Sequence, residues 1–166
     1  MKHFLITLLC FFLLLTGCED KKQISTQVNT ATNDQIQITL EELEDYRFFY
    51  DETLEYLYLY QGDQIKAICS FLNIEDFSEV KQSIEQESQE EETFFTIIDQ
   101  GEKDGNEYYF LKIDPQSDEY SLNLHYLIAL KDSHTYIDMM FTGTVDTIPQ
   151  AEEIIDALMF EIIEHK

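Results

Sequence analysis

Residues 4–15 form one apolar run of twelve residues, broken only by Thr7 and preceded by Lys2 and His3. A helix that crosses a bilayer needs about 20 such residues, so this run is too short to span. The small pair Thr16 and Gly17 closes it. A basic start, a short apolar stretch and a small-residue end are the parts of a cleaved secretory signal peptide. The rest of the chain is therefore expected to fold without residues 1–17, outside the cytoplasm.

The end of that run, Leu15-Thr16-Gly17-Cys18, resembles the bacterial lipobox, the motif cut by lipoprotein signal peptidase. The residue types suit the chemistry. A thiolate is the nucleophile that accepts a diacylglyceryl group, and small residues before it let the backbone enter the peptidase. The resemblance implies that Cys18 becomes the first residue and carries two or three acyl chains. At about 0.8 kcal/mol per buried methylene, several chains anchor a protein where one does not. The expected partner is thus a bacterial membrane, held through acyl chains on Cys18. The domain would face the periplasm from the inner or outer membrane, or the cell surface in a cell with one membrane. Cys10 leaves with the signal peptide and Cys18 is acylated, so Cys69 has no cysteine to pair with, even in an oxidising compartment. Its setting in the apolar run 65–72 reads as a small buried hydrophobe.

Charge narrows the function. The chain has 34 Asp and Glu against 10 Lys and Arg, a net charge of -24. Nucleic acid is excluded as a partner, because its phosphates need Lys and Arg to neutralise them. Docking on an anionic membrane through a basic patch is excluded likewise. At 44% hydrophobic residues the chain is too apolar for a disordered acidic tail, and 166 residues suit a single domain.

The polar segment 18–39, rich in Thr, Gln and Asn, reads as a lipidated cysteine followed by a disordered tether. The remainder, 40–166, reads as one α+β domain. Within it, 47–60 favours strands after a short helix or turn, since Tyr56, Tyr58 and Tyr60 alternate with Leu57 and Leu59. Residues 65–72 read as the next strand. Asn73 is the expected cap of a helix over 74–91. Strands follow at 93–99 and 107–113, joined through Asp104-Gly105, and at 120–130 and 135–142. Thr147-Ile148-Pro149-Gln150 predicts the start of a last helix that runs to the end, with Ala151, Ile154, Ile155, Leu158, Ile162 and Ile163 as its buried stripe. Consecutive hairpins make the sheet mostly antiparallel, with two main helices flanking it.

That order resembles the Mog1/PsbP-like fold, an α/β/α sandwich, and within it the DcrB-like envelope lipoproteins. The carriers are the passage Phe71-Leu72-Asn73-Ile74-Glu75-Asp76-Phe77, the hairpin through Gly105 into Tyr108-Tyr109-Phe110, and Met139-Met140-Phe141-Thr142 leading to Ile154-Ile155-Asp156-Ala157-Leu158. The resemblance implies a non-catalytic envelope protein and brings no catalytic residues with it.

The search for chemistry agrees with that implication. Asp99, Glu102, Asp104 and Glu107 surround a turn, but Gly101 and Lys103 stand where an EF-hand loop needs oxygen ligands. His125 and His134 lack the spacing of a zinc site. Asp132-Ser133-His134 holds triad residue types, yet neighbours on one turn cannot form the relay. No phosphate-cradling glycine loop is present. The chain is therefore read as having no catalytic residues, metal or cofactor. The acidic run 85–92 reads as a solvated helix face. Tyr46, Tyr50, Tyr56, Tyr58 and Tyr60 crowd into fifteen residues beside Phe48 and Phe49; a protein-contact surface and half-exposed sheet tyrosines are equally compatible with them. The leading expectation is a lipid-anchored, non-enzymatic envelope module that contacts another envelope protein. An acidic inhibitor or immunity protein for a basic enzyme or toxin comes second, on charge. A calcium or small-molecule binder comes third.

Overall fold

The computed structural model describes residues 22–31, 34–90, 93–113 and 123–165. Ten strands and two helices follow one another in these residues: β1 (Gln23–Asn29), β2 (Asp34–Glu41), β3 (Tyr46–Asp51), β4 (Tyr56–Gln61), β5 (Gln64–Asn73), α1 (Phe77–Glu87), β6 (Phe95–Lys103), β7 (Asn106–Ile113), β8 (Asn123–Ala129), β9 (Thr135–Phe141), α2 (Ile148–Ala157) and β10 (Leu158–His165). The fold is α+β, and every strand pair is antiparallel.

The strands form two sheets. The larger has seven strands in the order β3-β4-β5-β9-β8-β7-β6, and the smaller three in the order β1-β2-β10. Most joints of the large sheet follow from turn chemistry. Asp104 and Gly105 both take positive φ, 55° and 82°, as a two-residue hairpin with the strands' own twist requires. In the turn after β8, the Ser133 hydroxyl accepts from the Thr135 amide at 2.8 Å.

The small sheet corrects the expected tether. Residues 23–29 and 34–41 are strands, because Ile24, Thr26 and Val28, and then Ile36, Ile38 and Leu40, alternate with polar residues. Val28, Ile36, Ile38 and Leu40 are almost wholly buried. The domain therefore begins well before residue 40. Asp34, also buried, accepts hydrogen bonds from the Ser133 and Thr135 hydroxyls and so ties the small sheet to the β8–β9 turn.

The last helix is corrected too. It ends at Ala157, and the chain turns directly into β10. Leu158 and Phe160 point inward while Met159 points out, so the apolar pattern has changed from helical to period two. The Lys103 ammonium reaches from β6 to the carbonyls of Ile155 and Asp156, the latter at 2.9 Å. It thus neutralises a helix end that has no basic residue of its own. Asn106 then clamps the returning strand, donating to the Phe160 carbonyl at 3.2 Å and accepting from the Lys131 amide at 2.9 Å. The first helix is shorter than expected. Asn73 closes β5, and the cap is Asp76, which accepts from the Ser78 amide at 2.8 Å.

The main core lies between the inner face of the large sheet and a cover made of the small sheet and α2. Leu57, Leu59, Cys69, Ile137 and Met139 from the large sheet meet Ile36, Ile38, Leu158 and Ile154 from the cover. A second, smaller cluster sits on the outer face, where Ile84 of α1, with Phe77 and Val80, packs on Tyr109, Leu111, Leu127 and Tyr136. Because Ile38 is fully buried, Ile38→Ala should lower unfolding free energy by about 2–5 kcal/mol. Gln27→Ala, on the exposed side of β1, should change it by less than about 0.5 kcal/mol. Chemical denaturation of the two variants distinguishes a paired strand from a tether, in which both changes would be silent.

Candidate functional site

One helix covers only part of the outer face of the large sheet. Register places Phe49, Tyr58, Ile68, Met140 and His125 side by side on five successive strands, β3 to β8 in spatial order. The same row continues into Leu111 and Ile97, of which Leu111 belongs to the cluster under α1. From His125 outward to β3, neither helix of the described residues packs on it.

The tyrosine cluster of the sequence is divided by strand alternation. Tyr46 and Tyr50 turn inward and pack on the main core. Burial, and then the charge of Glu153, raises the Tyr46 phenol above its ordinary pKa. Burial, and then Glu55 and Glu52, does the same at Tyr50. Tyr56, Tyr58 and Tyr60 turn outward and form a ladder along β4, with ring centroids 6.5 and 6.4 Å apart. Phe49 joins it from β3, directly opposite Tyr58, at 6.2 Å. The Arg47 guanidinium lies over the Tyr60 ring, 4.1 Å from its centre, a cation–π contact. Phe49 is 50% exposed, Leu72 46% and Tyr56 40%. Single exposed apolar residues are ordinary, whereas a contiguous group of them marks a contact surface. Asp51, Glu52 and Glu55 edge this surface at the β3–β4 turn, and Asp63 edges it at the β4–β5 turn.

His125 pairs with Asp138 across the β8–β9 ladder at 2.9 Å, on the same face. His134 is in the next turn, where its carbonyl accepts from the Ile74 amide. The two imidazoles do not converge, and no group of three or more metal-ligating side chains occurs among the described residues. The acids of the β6–β7 hairpin also separate: Asp99 accepts from the Tyr108 hydroxyl at 2.7 Å, and Glu107 pairs with Lys81 at 3.0 Å. Ser133 is occupied by Asp34 and the turn backbone. Cys69 lies inside the main core. Burial, then the charge of Asp138, pushes its thiol pKa up to about 12, which keeps it protonated and unreactive. Leu15, Thr16, Gly17 and Cys18 lie outside the described residues.

Comparison with protein-family models, with curated proteins and with solved structures finds no match to this chain.

Two outcomes follow from the division of faces. Phe49→Ser should leave stability within about 0.5 kcal/mol of the parent, while Leu57→Ala, one strand away on the buried face, should cost about 2–5 kcal/mol. Equal losses in denaturant melts would mean that the outer face is covered. The second outcome concerns pH. Under α1, burial and then a 3.1 Å hydrogen bond to Glu85 push the Tyr109 phenol up to about 12, against about 10 in an unfolded chain. The folded state therefore favours the neutral phenol. Its contribution is complete below pH 10 and disappears as pH climbs towards 12. Stability measured from pH 9 to 12 should fall, and Tyr109→Phe should make that fall shallower.

Proposed function

We propose that this chain is a lipid-anchored bacterial envelope protein that acts by binding another envelope protein, without chemistry of its own. The uncovered half of the large sheet is the surface it uses. The observation that carries this reading is the apolar row from Phe49 through Tyr58 to Ile68 and Met140, left open on a strand scaffold rather than on loops. Such a platform offers large contact areas at low entropy cost. Its acidic edges, on a chain of net charge -24, call for a partner with an apolar centre ringed by Lys and Arg. The motif Leu15-Thr16-Gly17-Cys18 supports acylation at Cys18 and residence on a membrane, facing the periplasm or the cell surface. Helices on opposite faces of one antiparallel sheet support kinship with the Mog1/PsbP-like sandwich and the DcrB-like lipoproteins, with the small sheet as an elaboration of it.

An acidic inhibitor of a basic enzyme is the second reading, and the charge of -24 favours it. In that case the complex would form fast and weaken steeply with salt.

The test uses photo-crosslinking amino acids at Phe49 and at Glu79, in the parent and in Cys18→Ser, expressed in cells. The parent should partition with membranes at a mass that begins at Cys18 plus acyl groups. It should crosslink to one discrete partner from position 49 and to none from position 79. Cys18→Ser should lose the membrane fraction. An unacylated parent, or equal crosslinking from both positions, would overturn the proposal.

A further inference from the structure

A second site lies on the opposite, inner side of the large sheet. Between β6-β7-β8 and α2 there is a cavity of about 350 Å³. Its floor is aromatic: Tyr108 and Tyr126 have ring centres 5.3 Å apart, and Phe110 stands edge-on to Tyr126 at 6.5 Å. Asp99 and Glu102 line it from β6, and Glu152 and Asp156 from α2. The one cation in the lining is Lys103, whose ammonium is engaged by the carbonyls that end α2.

Tyr126 makes this more than an acidic cluster. Its side chain is only 3% exposed, yet its hydroxyl has no hydrogen-bond partner among the described residues. No polar side-chain atom of the described residues is both sealed from solvent and unsatisfied, so this hydroxyl opens on the cavity that the residue lines. A buried phenol normally finds a partner. Here none of the described residues supplies one, and the cavity leaves the hydroxyl open to a ligand. Tyr108 donates its proton to Asp99 at 2.7 Å and keeps its lone pairs. The polar groups that remain for a ligand are four carboxylates and two phenol oxygens. All of them accept hydrogen bonds, the carboxylates carry negative charge, and aromatic rings line the same cavity. A positively charged group that only donates, on an aliphatic stem, fits all three properties.

We propose that this cavity binds an alkylammonium group, with the cation over the Tyr108 and Tyr126 rings and hydrogen-bonded to the Tyr126 hydroxyl and the Asp99 carboxylate. The stem lies along Phe110 and Ile155. The ammonium belongs either to a free linear polyamine or to a lysine side chain of a protein. Neither source depends on the sheet face described above, and the site stands or falls independently of it.

Calorimetric titration of the full-length protein in non-ionic detergent tests this with two probes, spermidine and Nα-acetyl-lysine amide, against a constant background of magnesium. Saturable binding of one equivalent is expected. Spermidine alone binding identifies a free polyamine, lysine amide alone a side chain, and both the shared ammonium. Tyr126→Phe keeps the ring and its packing, and should weaken binding about tenfold, the effect of losing one hydrogen bond to a charge. Asp99→Asn should weaken it by a similar factor. Glu85→Gln, on α1 at the other face, should leave it unchanged. Circular dichroism melts confirm that each variant is folded. Binding of neither probe, or heats that magnesium abolishes and that Tyr126→Phe and Asp99→Asn leave unchanged, would overturn the proposal.

Discussion

The width of the seven-stranded sheet governs the rest of this structure. Strands lie about 4.8 Å apart, so seven of them present a face about 29 Å wide, whereas a helix covers only about 10–12 Å. One helix on each side cannot dehydrate such a sheet. On the inner face the deficit is met by recruiting β1, β2 and β10, and the joint cover of three strands and α2 buries Leu57, Leu59, Ile137 and Met139 completely or nearly so. On the outer face no other element of the described residues supplements α1. The apolar cluster there stops at Tyr109, Leu111, Leu127 and Tyr136, and the side chains of β3, β4 and β5 beyond it remain open. The aromatic platform and the composite cover are thus two results of the same shortage of helix.

How much of this was legible follows the same division. Strands β5, β7 and β9 were legible nearly to the residue, because their apolar alternation ends at turn residues such as Gly62-Asp63 and Asp104-Gly105. The strands of the cover were not. Polar composition in 23–41 outweighed a period of two that was present all along in Ile36, Ile38 and Leu40. In β10, Leu158 and Ile162 stand four apart and so continue a helical stripe on paper, although Leu158-Met159-Phe160-Glu161 already alternates. Short apolar segments fit both periods, and only the long-range pairing of β2 with β10 decides between them. For the site, the tyrosine cluster was visible, but its division into two inward and three outward rings needed the register of β3 on β4. The cavity on the inner side left no local signal, because Tyr108, Tyr126 and Asp156 come from three distant stretches of chain.

Electrostatics sharpen both surfaces. The few cations are engaged close to home: Lys81 with Glu107, Lys22 with Glu44, Lys103 on the end of α2 and Arg47 on the Tyr60 ring. Exposed pairs of this kind add little stability. Their effect is to leave most of the 34 acids uncompensated, so the long-range field of the domain is negative. A positively charged partner is steered towards such a field, and an anionic surface is held off by it.

The early start of the fold changes what acylation at Cys18 would mean. With a strand beginning at Gln23, five Cα steps separate the anchor from the domain, a reach of no more than about 17 Å. On the lipid-anchored reading the domain cannot roam on a long tether. It is held with the start of β1 towards the bilayer, and register brings the end of β2, at Glu41, to the same place. Glu44 pairs there with Lys22, and Glu42 donates its amide to the Lys22 carbonyl. Anionic headgroups repel this acidic end, but only within about 8 Å at physiological ionic strength. The link is long enough to clear that distance and too short to go far beyond it. On that reading, anchor and field together would keep the domain close to the membrane but not lying on it, and would leave the open sheet face free for a protein rather than for lipid.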